Sequence, residues 1–260
     1  MIASFSPLKP FGIRLDVEPG VKATDLPRAE LLALLAEHKL VLVRGLARVS
    51  RDELLAFAAK DPARDLLQWN FGPVMEMKVD PAAVNYLFSR EEVPVHWDGA
   101  FHLEPRALVF HCVEAPNPRM GGQTTFVDSE SIWNDASSAT RARWKRLELT
   151  YETEKKAHYG GRITVPMVQH HPDKPVTILR YAEPVGSELN PVLMDVDGLK
   201  GSTKADFQQE MHELLYSEKY LYEHTWEEND LLLADNFSLL HGRRAFSDAS
   251  PRHLRRVQIR

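Results

Sequence analysis

From Pro73 onward the chain breaks into short apolar runs separated by turn residues: PVMEMKV, VPVHW, ALVFHCV, TTFVD, VTILRYAEP, LLLADN and the closing RRVQI. Runs this short, rich in β-branched residues and bounded by Gly, Pro, Asn or Asp, read as strands rather than helices. So many strands must close on one another to cover their apolar faces, which points to a sandwich or barrel. Helical spacing returns in SATRARWKRL and ADFQQEMHELLY. Near the N-terminus, Asp25 is placed to cap a helix running through Glu37, and LVLVRGL from Leu40 to Leu46 then reads as a buried strand. Ser50 with Glu53 forms a capping box for the helix DELLAFAAK. The expected architecture is α+β, with a mainly antiparallel β core and flanking helices at one side, and a jelly roll is the closed form that fits best. No repeat, low-complexity tract or linker divides the sequence, so residues 1–260 are expected to form one domain.

Charge narrows the possible partners. Lys and Arg number 32 against 37 Asp and Glu, a formal net charge of -5, which argues against nucleic acid as a partner. No uncharged apolar run approaches the ~18 residues of a membrane helix, and the N-terminus lacks a basic segment followed by an apolar one. No membrane association and a cytoplasmic location are therefore expected. The single cysteine, Cys112, lies in the run ALVFHCV and reads as a buried, inert thiol. The basic residues are unevenly spread: Arg243, Arg244, Arg252, Arg255, Arg256 and Arg260 follow one another near the C-terminus against a lone acid, Asp248. Such a segment suits small anions.

Metal-ligand candidates come from the histidines. His96-Trp97-Asp98 and His171-Pro172-Asp173 both present an imidazole and a carboxylate at i and i+2, with His102-Leu103-Glu104 as a glutamate version. Pro172 inside His171-Pro172-Asp173 and Pro175 just after it make that segment read as an exposed turn. His96 closes the strand VPVH and Asp98 precedes a glycine, so both side chains lie on one face at a strand end. Together they supply two members of a 2-His-1-carboxylate facial triad, a set that suits Fe(II) and leaves coordination positions open. The third member should be a distant histidine in the same core. His241 qualifies, because it follows LLLADNFSLL and precedes Gly242, where the backbone can approach closely. Thr124 in Gly121-Gly122-Gln123-Thr124 stands 26 residues after Asp98, and Arg252 stands 11 after His241.

In these elements, taken in order, the sequence resembles the TauD/TfdA family of Fe(II)- and 2-oxoglutarate-dependent dioxygenases. The stretches FGPVMEM, VPVHWDGAFHLEPRALVFHCVEAP, GGQTTF, ADNFSLLHGRRAF and PRHLRRVQI look, within it, like the PvcB/IsnB isonitrile dioxygenases. The resemblance implies a double-stranded β-helix (jelly roll) and a catalytic iron held by His96, Asp98 and His241. It implies 2-oxoglutarate and O2 as cosubstrates, with Thr124 and Arg252 at the distal carboxylate of 2-oxoglutarate. It also implies an isonitrile derivative of tyrosine or tryptophan as substrate, either desaturated or oxidatively decarboxylated to a vinyl isonitrile.

Strand alternation sorts the terminal arginines. Arg252, Leu254 and Arg256 share one face, so if Arg252 points inward Arg256 does too. Arg256 is then expected to hold the anionic group of the substrate, a small molecule carrying a carboxylate, whereas Arg243, Arg244 and Arg255 read as surface or rim charges. Trp69, Tyr86, Phe101 and Tyr159 are candidate aromatic lining, with His102 and His158 within reach of a polar substrate group. Two other readings fit parts of the pattern: a TauD-like hydroxylase of a sulfonate or other small anion, and a non-catalytic jelly-roll sensor that binds a metal and a small acid.

Overall fold

The computed structural model describes residues 2–156 and 159–260. The readings at His158 and at the Tyr159 side chain lie outside the described residues. The chain opens with β1 (Ile2–Pro7), β2 (Ile13–Val17), α1 (Arg28–His38), β3 (Leu40–Arg44), α2 (Arg51–Ala58) and the one-turn α3 (Pro62–Asp65). Four core strands follow, β4 (Met75–Lys78), β5 (Val93–His96), β6 (Ala107–Glu114) and β7 (Thr124–Asp128), and then α4 (Ser129–Asp135) and α5 (Ser138–Trp144). An intervening stretch carries β8 (Glu148–Lys156), β9 (Tyr159–Pro166), β10 (Val168–His170), β11 (Thr177–Leu179), β12 (Leu193–Val196) and α6 (Ser202–Leu215). The chain closes with β13 (Leu221–His224), β14 (Leu231–Asp235), β15 (Leu239–Arg243) and β16 (His253–Ile259).

A seven-stranded sheet runs β1-β2-β3-β14-β6-β16-β4 and a four-stranded sheet runs β13-β7-β15-β5. The core strands divide between the two sheets, β4, β6, β14 and β16 in the large one and β5, β7, β13 and β15 in the small one, and consecutive core strands change sheet except at β7 and β13, which pair. Pairing is antiparallel except between β2 and β3, which run parallel.

Period-two alternation in the strands produces the layers. Leu40, Leu42, Leu108, Phe110, Leu232, Ala234 and Leu254 face the space between the two sheets, where Phe126 and Leu239 meet them from the small sheet. Their neighbours Val41, Val43, Val109, Leu231, Leu233, Val257 and Ile259 point the other way, onto α1 and α2. The outer face of the small sheet, with Val93, Val95, Val127 and Leu240, packs against α4, α6 and β8. Strands buried on both faces explain why these segments read as continuous apolar runs.

Several expectations change. Helices cover both outer faces rather than one side, because each sheet leaves an apolar outer face that must be buried. Asp25 does not cap α1; it ends a tighter turn, Ala23–Asp25, where its carboxylate accepts from the Lys22 backbone N–H at 3.0 Å, and α1 starts after Pro27. The Ser50–Glu53 capping box on α2 is present, with Glu53 N donating to Ser50 Oγ at 3.2 Å and Ser50 N to Glu53 Oε2 at 2.9 Å. VTILRYAEP is strand only over Thr177–Leu179, since Arg180 turns inward and donates to the Asn236 and Phe237 carbonyls. His171 does sit in a turn, yet it is buried rather than exposed, its Nε2–H donating to Asp235 Oδ2 at 3.1 Å. Cys112 is buried in the inter-sheet layer, where burial pushes its thiol up to about 12, as an inert thiol requires. No helix among the described residues is long and apolar enough to cross a membrane.

The turn into β7 shows how closely the chain before β7 and the chain after β15 are joined. Gly121 has φ 88°, and a Cβ there would overlap the Ala245 carbonyl oxygen on the chain segment after β15. Gly121→Ala should therefore destabilise the protein by about 2 kcal/mol or more, measured by denaturant unfolding. An unchanged midpoint would mean that this approach does not limit the fold.

Candidate active site

β5 and β15 lie side by side in the small sheet, with His96 directly opposite His241. Their closeness depends on Gly242, where a Cβ would come 2.6 Å from the Val93 carbonyl oxygen. Both imidazoles point between the sheets, their ring centroids 4.4 Å apart, and Asp98 joins them two residues beyond the end of β5. Asp98 Oδ1 stands 3.6 Å from His96 Nε2 and 3.6 Å from His241 Nε2.

The surroundings decide which atoms are available. The His96 Nδ1–H donates to the Pro94 carbonyl at 2.9 Å, which fixes the tautomer and leaves the Nε2 lone pair free. His241 Nε2 is buried without a hydrogen-bond partner. Burial, with His96 and Arg256 nearby, pushes the His241 imidazole down to about 3, so it is neutral and able to donate an electron pair. Burial alone would raise the Asp98 carboxyl; the Arg256 guanidinium and the two imidazoles outweigh it and hold it well below the usual carboxylate range. Arg256 Nη1 donates to Asp98 Oδ2 at 2.7 Å and Gln258 Nε2 to the same oxygen at 2.5 Å. The Asp98 backbone is held by Asn236, whose side chain accepts from the Asp98 N–H and donates to its carbonyl, each at 3.0 Å. What remains is a set of three ligand atoms, all within 4.8 Å of one another, that could hold a metal ion. Ligands about 2.0–2.2 Å from one ion lie about 3 Å apart when mutually perpendicular, so a small contraction closes the set.

Thr124 and Arg252 meet on one side of this cluster. Arg252 is buried; its Nε donates to the Gly122 carbonyl at 3.0 Å and its Nη2 to Thr124 Oγ1 at 3.3 Å. No carboxylate among the described residues pairs with it, and burial together with Arg243 pushes it down to about 9. A buried guanidinium in that position calls for an anion. Arg256 also points inward, in the same layer as Leu254, but its charge already faces Asp98.

A cavity of about 430 Å³ opens from the histidine and carboxylate cluster. The candidates Trp69, Tyr86, Phe101 and His102 stand in its wall, and Trp97, Tyr151, Val185 and Val192 add walls that the sequence reading did not single out. Trp97 is fixed by its Nε1–H, which donates to Glu104 Oε1 at 2.8 Å, while Glu104 Oε2 accepts from the fully buried Arg180 at 3.2 Å. Arg243 is not a rim charge. Its guanidinium is buried and donates to the carbonyls of Leu87, Ser89 and Glu91 at 3.0, 2.9 and 2.5 Å, gripping the segment that carries Tyr86 and Leu87 into the cavity wall. The signal was available: Arg243 follows His241 by two in the same strand and so shares its inward face. Arg244 and Arg255 pair with Glu223 and Glu76 at the periphery.

Comparison with known proteins agrees with this geometry. Residues 4–258 match the model of the "Taurine catabolism dioxygenase TauD, TfdA family". Over 261 residues the chain is 40% identical to a 3-((Z)-2-isocyanoethenyl)-1H-indole synthase of Fischerella ambigua, covering 98% of this chain and 95% of that protein. It is 36% identical to a tyrosine isonitrile desaturase of Pseudomonas aeruginosa over 96% of this chain and 87% of the other. A solved structure of PvcB from Pseudomonas aeruginosa superimposes with a TM-score of 0.80 at 32% identity, covering 98% of this chain and 91% of that one. A second PvcB structure, with a TM-score of 0.79, is named as an Fe, alpha-ketoglutarate dependent oxygenase from an isonitrile synthetic pathway.

The Arg243 clamp yields a test. A lysine offers its donors from one point and cannot span several carbonyls. Arg243→Lys should raise the substrate KM by about tenfold and speed amide exchange over residues 86–91, leaving metal affinity as in the parent. Unaltered exchange there would exclude the clamp.

Proposed function

Because the chain belongs to the TauD/TfdA family of dioxygenases, we propose that it is an Fe(II)- and 2-oxoglutarate-dependent oxygenase of isonitrile metabolism. Its substrate is the isonitrile derivative of tyrosine or tryptophan, which it desaturates or decarboxylates oxidatively to a vinyl isonitrile. The observation that carries this reading is the convergence of His96 Nε2, His241 Nε2 and Asp98 Oδ1 beside an aromatic-walled cavity. Substantial identity to two enzymes of isonitrile chemistry supports the substrate class. A cavity of about 430 Å³ walled by aromatic rings also suits an aryl substrate better than a small sulfonate. The even division of the core strands between two sheets supports reading the fold as a double-stranded β-helix, with residues 1–260 as one oxygenase domain.

Iron, with 2-oxoglutarate and dioxygen, supplies the oxidising power when bound. The chain's part is positioning. His96, Asp98 and His241 would hold the metal, and Gln258 and Arg256, by holding Asp98 Oδ2, leave Oδ1 turned towards the two imidazoles. Arg252, with the Thr124 hydroxyl beside it, would hold the distal carboxylate of 2-oxoglutarate through its planar fork. Arg256 lines the substrate cavity, where its guanidinium would meet the substrate carboxylate. The aromatic walls hold the ring and exclude water from the reacting carbon.

Under argon, Fe(II) and 2-oxoglutarate should give a weak visible charge-transfer band that His241→Ala abolishes; an unchanged band would remove His241 from the metal site. Arg252→Ala should raise the 2-oxoglutarate requirement by about 10- to 100-fold and hardly affect the substrate requirement. Arg256→Ala should do the reverse, and equal effects of the two variants would refute the division between them. Mass spectrometry of products from both isonitriles separates a loss of two hydrogens from a loss of the carboxyl group.

A further inference from the structure

The Thr124 hydroxyl is more constrained than its pairing with Arg252 alone suggests. A hydroxyl oxygen has two lone pairs and one proton. Arg252 Nη2 donates to one lone pair at 3.3 Å, and the Trp226 indole Nε1–H donates to the other at 2.9 Å. With both lone pairs engaged, the hydroxyl proton must point away from both donors, and it is donated to none of the described residues. Trp226 is itself held in place. It is buried, and its ring meets the His224 ring edge-on at 87° with centroids 4.3 Å apart. His224 donates from Nε2 to Asp230 Oδ2 at 3.1 Å and accepts at Nδ1 from the Tyr222 hydroxyl at 3.0 Å. Asp230 Oδ2 also accepts from Arg44 Nη2 at 2.6 Å and from the Glu227 backbone N–H at 2.9 Å. A chain of fixed groups thus runs from β3, through Arg44, Asp230 and His224, to the indole N–H on Thr124.

We propose that Trp226 is a positioning residue that makes Thr124 a one-way donor, so that Thr124 and Arg252 together offer only hydrogen-bond donors to the cosubstrate carboxylate. The proposal rests on the reading of Thr124 and Arg252 as the 2-oxoglutarate subsite. A hydroxyl free to rotate would accept as readily as donate, and would tolerate a protonated acid or an amide in the same place. A hydroxyl locked by the indole favours an ionised carboxylate. The effect belongs to cosubstrate binding rather than to the chemical step.

The test measures 2-oxoglutarate binding by calorimetry on the Fe(II)-loaded protein under argon, alongside the 2-oxoglutarate KM and kcat. Trp226→Phe, which keeps an aromatic ring without the N–H, should weaken binding about five- to tenfold with kcat and the substrate KM unchanged. Benzothienylalanine at 226, isosteric with tryptophan but lacking the N–H, should do the same and covers the case in which Trp226→Phe fails to fold. Thr124→Val should weaken binding at least as much, and adding the 226 change to it should cost nothing further, because Trp226 acts through Thr124. Additive losses, or an unchanged affinity in the benzothienylalanine protein, would overturn the proposal. If Arg252→Ala and Thr124→Val also leave 2-oxoglutarate binding intact, the subsite reading itself has failed, a result distinct from failure of the Trp226 proposal alone.

Discussion

A buried carboxylate organises this molecule. Taking Asp98 out of water costs several kcal/mol unless its charge and lone pairs are met, and the fold meets them from three directions. β16 supplies Arg256 and Gln258, the turn between β14 and β15 supplies Asn236 to the backbone, and β5 and β15 supply the two imidazoles. The partners come from strands of both sheets and from a turn, so satisfying one carboxylate also sets how the large and small sheets lie against each other. The asymmetry of its two oxygens matters for chemistry: one is consumed by the protein, and the other faces the histidines.

Three buried arginines surround the same space, and each is neutralised differently. Arg256 has a carboxylate within the protein. Arg243 has backbone carbonyls, whose partial charges suffice only because its fork reaches several at once. Arg252 has a carbonyl, a hydroxyl and an aromatic ring, Phe246, whose centroid is 5.9 Å away, but no full negative charge among the described residues. That gradation marks Arg252 as the one of the three whose charge the described residues leave without an anion, and burial alone would not have told them apart.

Much of this was legible in the sequence, because it follows from short-range rules. Period two put His96 with Asp98 and Arg252 with Arg256, the glycines marked where strands press together, and the capping box at Ser50 needed only four residues to recognise. Partners set by tertiary contact were not legible. Gln258 reads as one more inward strand residue, and nothing near it announces Asp98, which lies 160 positions away in the chain. His171 shows the same limit: the prolines after it correctly indicate a turn, but the acid that buries it, Asp235, is 64 positions distant. Arg180, Glu104 and Trp97 come from three separate segments, and their connection exists only once the chain is folded. Arg243 is a different case, since the alternation that placed His241 inward already placed it inward as well.

The walls of the cavity come largely from connections between strands, at Trp69–Phe71, Val84–Phe88, Trp97–His102 and Ala182–Val185, whereas His241, Thr124 and Arg243 lie on strands of the small sheet. The two imidazoles therefore rest on paired strands, while most of the rings around the substrate space rest on turns. A ring in a turn can be exchanged without moving the strands beneath it; Trp97, one residue from Asp98, is the exception.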